Sequence, residues 1–152
     1  MARDRGASFP TILDIMTHVL DVYRCWLRAC ETGEACKRWV YKHETGKDLP
    51  ELFGLSLAEI TKIEEEVDAY VDRFMQKLKA EDLDRSFQYT IGNGKNARVV
   101  TRNTGEMLWH LIEEELQHRG DLNALLWQEN IDPPVTSWYE WKRVSVEKSN
   151  IP

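Results

Sequence analysis

Two histidines and a run of glutamates carry the most suggestive chemistry in this chain. Glu113, Glu114, Glu115 and His118 lie on a segment that opens with Asn103 and Glu106 at capping-box spacing and runs to about Glu129, before Asp132-Pro133-Pro134 stops it. At about 100° per residue, Met107, Leu108, Leu111, Leu122, Leu125 and Leu126 fall within an arc of about 100°, the face this helix must bury. On the same projection His118 lies about 30° from the centre of that arc, with Glu115 about as close, Glu114 just outside and His110 at the margin. An acid and an imidazole on a buried stripe need a partner, because a carboxylate taken out of water is costly unless a cation or donor answers it. Two readings follow. One is a hydrogen-bonded His–Glu pair at i,i+3 or i,i+4. The other is a metal centre in which i,i+4 donors and a ligand from a second helix share one ion. Imidazole and carboxylate suit Zn²⁺, Ni²⁺, Fe²⁺ or Mn²⁺ better than Ca²⁺.

The third ligand belongs on a neighbouring helix. His18 is the natural candidate, at the flank of an apolar stripe beside Ile15 and Val22, whereas His43 falls in an irregular connection and reads as a solvent residue. Glu115-x-x-His118 matches half of a di-iron carboxylate motif, but there is no second such unit in the sequence, so a mononuclear site is favoured.

The elements that must position these groups are mainly helical. Ile12, Ile15, Met16, Val19, Val22, Tyr23, Trp26 and Leu27 predict a helix from about Pro10 to Thr32, with Pro10 in its first turn and Gly33 as a left-handed cap. A short helix within a connection is expected over 34–44. Ser56 and Glu59 form a second capping box, with Leu55 placed to staple onto Ile60, and the helix they open runs to about Leu78. Alternation over Phe87, Tyr89, Ile91, Val99 and Thr101, interrupted by Asn93-Gly94, predicts a hairpin through a type I′ turn. The aromatic tail from about 135 to 152, with Trp138, Tyr139 and Trp141, is expected to pack back on the body of a single domain spanning 1–152.

Composition narrows the function classes. With 26 acidic against 20 basic residues and a net charge of −6, nothing resembles the basic stripe that nucleic-acid binding requires. No apolar run approaches the roughly 20 residues that span a bilayer, and the first residues lack a secretory signal, so a cytoplasmic protein is expected. Cys25, Cys30 and Cys36 are odd in number with no C-x-x-C spacing and read as small buried hydrophobes with reduced thiols. At 152 residues the chain can bury roughly 70% of its unfolded surface, so a metal would serve function rather than folding.

The segments Ser8-Phe9-Pro10-Thr11-Ile12-Leu13-Asp14-Ile15-Met16-Thr17-His18 and Glu113-Glu114-Glu115-Leu116-Gln117-His118-Arg119-Gly120-Asp121-Leu122, with Pro133-Pro134 following, resemble the DinB-like (DinB/YfiT) superfamily. The resemblance implies an all-α, up-down four-helix bundle with a short hairpin before the last long helix, often dimeric. It also implies a divalent metal held by a histidine of one helix and two i,i+4 ligands of the last, here His18, Glu114 and His118. The family's middle ligand is usually histidine, so Glu114 is a departure, although two histidines and a glutamate are a known catalytic zinc set. Relatives generally carry another long helix upstream of the His18 segment, whereas three long helices are legible here. The 34–44 helix, a partner subunit or an upstream start would supply the fourth.

By the same resemblance the expected activity is a metal-dependent transfer to a low-molecular-weight thiol and an electrophile, with zinc first among the metals and nickel, iron or manganese behind it. Glu115 is expected to act as a base or to hold the other ring nitrogen of His118. The alternatives are a non-catalytic metal- or ligand-binding bundle and a hydrolase using the same residues. A homodimer is expected, with no nucleic-acid or membrane partner.

Overall fold

The computed structural model describes Phe9 and residues 11–33, 54–91 and 94–134. Among the described residues there are three α-helices and one hairpin: α1 (Ile12–Thr32), α2 (Leu57–Lys77), β1 (Ser86–Ile91), β2 (Arg98–Asn103) and α3 (Thr104–Gln128). The fold is thus mostly helical, with the hairpin ahead of the last helix, and a fourth helix is not among the described residues. The helix expected over 34–44, His43 and the aromatic tail lie outside them.

Each helix starts where a side chain can satisfy its first free N–H groups. In α1 the cap is Thr11, whose Oγ1 accepts from the Asp14 amide at 3.1 Å, so the helix opens at Ile12; Pro10 lies outside the described residues. Its other end closes on Gly33 at φ 76°, a left-handed conformation that favours glycine. The boxes expected at Ser56–Glu59 and Asn103–Glu106 are both formed.

The hairpin needs one correction. Antiparallel pairing runs from Ser86↔Asn103 to Ile91↔Arg98 and Gly94–Asn96 form a 3₁₀ turn, so Lys95 is not in the strand pairing that the type I′ turn expected at Asn93-Gly94 requires; Asn93 itself lies outside the described residues. An Asn-Gly pair closes a hairpin only where the ladder reaches it, and this ladder ends at Ile91. The alternation itself is real: Phe87 is buried and Tyr89 packs on the core, while Gln88 and Thr90 face outward.

Helix α1 is the central element and packs against both α2 and α3. Its buried set is broad, whereas α2 buries only Ile60, Val67 and Phe74, seven residues apart, a narrow seam. The main cluster joins Val22, Trp26, Leu27 and Cys30 of α1 to Phe74 of α2, Phe87 of β1, and Met107 and Leu111 of α3. A second cluster joins Ile12 and Ile15 to Leu125. Residues early in α1 therefore meet residues late in α3, so the two helices run antiparallel.

Arg85 fixes their longitudinal register. Its guanidinium donates to the carbonyl of Cys30 at the end of α1, and its own carbonyl accepts from the Thr104 amide at 3.0 Å at the start of α3. Counting back from that junction brings Trp26 against His110, Tyr23 against Glu115 and His18 against Glu114.

The expectation of reduced thiols also needs correction. Cys25 is disulfide-bonded, while Cys30 is free and buried. An odd count leaves room for one bridge plus one thiol, and the missing C-x-x-C spacing does not exclude it. Burial pushes the Cys30 thiol up to about 11, against the opposing effects of the Thr104 hydrogen bond and the Arg85 charge. Because the thiolate is the reactive species, Cys30 should resist iodoacetamide at pH 8 in the folded protein and react once urea is added. Mass spectrometry of the labelled peptide checks this, and rapid native labelling would contradict the packing around it.

Candidate metal centre

Helix α3 buries Thr104, Met107, Leu111, His118 and Leu125, with Glu114 and Asp121 partly buried between them. The steps alternate three and four residues, the seam of a coiled-coil-like contact. Glu114 stands on that seam with its side chain 19% exposed, and Glu115 lies off it at 48%. The wheel projection put them in the reverse order. A constant 100° step drifts about 20° per heptad from a 3.5-residue seam, enough to exchange two neighbours.

The structure brings His18, Glu114 and His118 together. Nε2 of His18 and Nε2 of His118 each lie 3.4 Å from the same oxygen, Oε2 of Glu114, and one ligand atom from each residue lies within 4.8 Å of the other two. Donors about 2.0–2.1 Å from a tetrahedral ion stand about 3.3–3.4 Å apart, so the two separations from the Glu114 oxygen match those of ligands on one shared ion. The two rings meet edge to face, 5.0 Å between centroids and 82° between planes. Phe9 forms an apolar wall beside them, 4.4 Å from the His18 ring and 5.7 Å from that of His118. Both histidines are buried, so access to the cluster is on the Glu114 side.

Hydrogen bonding from His18 holds the Glu114 carboxyl below its usual range; burial opposes this, and charge on His110, His18 and His118 adds to it. Glu114 is therefore ionised at neutral pH and ready to ligate. A lowered folded value means that this interaction stabilises the metal-free fold above the ordinary carboxyl range and is lost as the pH falls through the lowered value.

His110 was placed at the margin by the sequence, and the structure sets its Nε2 3.6 Å from the outer oxygen of Glu114, an ion-pair distance rather than a hydrogen bond. Glu115 does not reach the His118 ring. It accepts a 2.8 Å hydrogen bond from the Tyr23 hydroxyl and pairs with Arg119 at 3.7 Å. Burial, then the bond to Glu115, pushes the Tyr23 hydroxyl up, which keeps it a donor. The group facing the second nitrogen of His118 is Asp121, with Oδ2 3.3 Å from Nδ1. Sequence reading passed over Asp121 and Tyr23; the His118-x-x-Asp121 spacing was the available signal for the former, and nothing local marked the latter.

The DinB family model matches residues 1–146. The chain belongs to the DinB family. Comparison with curated proteins and with solved structures finds no match. Membership and the converging ligand atoms agree that this DinB-family protein carries a possible His–Glu–His metal site. No helix among the described residues is long and apolar enough to cross a membrane.

Proposed function

We propose that this protein is a metal-dependent transferase acting on a low-molecular-weight thiol, with one divalent ion, zinc first, held by His18, Glu114 and His118. The observation that carries the reading is the convergence of three ligand atoms from two helices within 4.8 Å of one another. Three protein ligands leave coordination positions open, which distinguishes a catalytic from a closed structural site. When bound, the ion would acidify a thiol and polarise an electrophile.

The remaining roles belong to the chain. His18 and His118 anchor the centre from the buried side, and Glu114 forms its half-open rim. Phe9 excludes water from one flank. To Glu115, which accepts from the Tyr23 hydroxyl and pairs with Arg119, the proposal gives the task of taking the thiol proton and passing it to solvent. An assay of conjugation between glutathione, bacillithiol or mycothiol and a generic electrophile tests the reading. Turnover that His118→Ala abolishes and Glu115→Gln lowers supports it. Ester hydrolysis with no thiol dependence would replace it by the hydrolase reading, and turnover unchanged by Glu115→Gln would remove that residue's role.

The proposal extends to a homodimer. Trp109, Ile112 and Leu116 form a stripe on the outer face of α3, at 62%, 46% and 54% exposure, more apolar surface than a solvated helix face needs. A two-fold copy of the same stripe would cover it, and Glu113 and Arg119, either side of Leu116, would meet across an antiparallel pairing. Sedimentation should find a dimer that Leu116→Glu converts to monomer; a wild-type monomer at micromolar concentration contradicts the proposal.

A further inference from the structure

His118 is flanked by a carboxylate at each ring nitrogen, Glu114 Oε2 at 3.4 Å from Nε2 and Asp121 Oδ2 at 3.3 Å from Nδ1. A neutral imidazole has one N–H and one lone pair, so it can answer only one of the two. A neutral ring therefore turns a lone pair toward one carboxylate inside a side chain only 4% exposed, whereas an imidazolium would donate to both. With the ring neutral, both sides are answered when Nδ1–H donates to Asp121 and a cation lies between Nε2 and Glu114. Asp121 and His118 are three residues apart on one helix, so they meet through local geometry alone.

We propose that Asp121 is the positioning residue of the centre: it accepts the Nδ1–H of His118, which fixes the ring's rotation and leaves Nε2 bare toward the ion. This rests on the reading of His18, Glu114 and His118 as ligands and adds a residue that touches no metal. Asp121 also stands on the α3 seam with Glu114 and His118, and its side chain is 34% exposed, so water can reach the carboxyl oxygen that His118 does not face. A carboxylate behind a ligating histidine raises the basicity of the ligand as well as orienting it, and losing one typically weakens metal binding by about 10–100-fold.

The test is zinc affinity of the full chain, measured by competition with a chromophoric chelator, together with the absorption bands of the cobalt-loaded protein. The wild type should bind one ion per chain and His118→Ala should lose it. Asp121→Ala should bind about 10–100-fold more weakly with altered cobalt bands, and Asp121→Asn, whose amide oxygen can still accept from Nδ1, should recover most of the loss. In zinc-loaded wild type the Nδ1–H proton of His118 should give a downfield resonance that exchanges slowly with water and is lost in Asp121→Ala. Should the alanine protein fail to fold, Asp121→Ser, too short to reach the ring, takes its place. Wild-type affinity in Asp121→Ala, or an asparagine variant as weak as the alanine one, overturns the role of Asp121 while leaving the centre intact. A wild type that binds neither zinc nor cobalt overturns the centre and Asp121's role with it.

Discussion

Glu114→Gln should lower metal affinity by about a hundredfold or more while leaving the helices intact. Four-ligand zinc sites are worth about 10–16 kcal/mol, so one ligand accounts for roughly 3 kcal/mol, or about two powers of ten. The glutamine keeps the shape of the side chain, and its amide can donate to one histidine while its oxygen faces the other. What it removes is the charge and the shared oxygen at 3.4 Å from both Nε2 atoms. If His18, Glu114 and His118 were only a hydrogen-bonded cluster, Glu114→Gln would change stability and leave metal content untouched. Calorimetric titration with zinc, beside a thermal melt of the metal-free protein, separates the two. Equal affinity in the variant would contradict ligation by Glu114.

Trp26→Ala should destabilise the fold by about 3–5 kcal/mol, the largest loss expected from a single truncation here. Trp26 is 2% exposed and sits where α1, α2, β1 and α3 meet, in one cluster with Phe74, Phe87, Met107 and Leu111. Its ring lies edge-on to Tyr89 at 5.1 Å and to His110 at 6.0 Å, so the cavity left by alanine is walled by three different elements that cannot collapse together. Against a typical total of about 5–15 kcal/mol, this lowers the melting temperature by roughly 10 °C. Circular dichroism melts of the wild type, Trp26→Ala and Trp26→Phe measure it, the phenylalanine variant losing less. A loss below about 1 kcal/mol for alanine would contradict the packing.

Helix ends were the most legible feature of the sequence, because a capping box needs only two side chains three residues apart. Ser56–Glu59 and Asn103–Glu106 both close as their spacing implies, and Gly33 adopts its left-handed cap. The hairpin was half legible: alternation placed Phe87 inward, but the loop depends on where the ladder stops, which the Asn93-Gly94 pair does not control. The bridge at Cys25 was not legible at all, since three cysteines without a spacing motif are compatible with either redox state.

At the centre, the burial of His18 and His118 was partly readable from their place among apolar residues. The choice between Glu114 and Glu115 was not readable from a projection. Adjacent residues stand about 100° apart, so Glu114 and Glu115 lie to either side of the centre of the buried arc, and which of them faces inward is set by how α1 packs on α3. Family resemblance pointed to Glu114, and the geometry brings that side chain between the two histidines. Asp121 went unnoticed because its partner is a ring nitrogen, and only the rotation of the His118 ring reveals which group lies behind it.

The most direct measurement is the metal content of the wild-type protein purified without added ions or chelators, with His18→Ala and His118→Ala prepared in parallel. About one divalent ion per chain is expected in the wild type and near none in either variant, with zinc the leading candidate. Metal content far below one per chain in the wild type, unaltered by His118→Ala and not restored by adding zinc, would contradict this and leave His18, Glu114 and His118 as a buried hydrogen-bonded cluster.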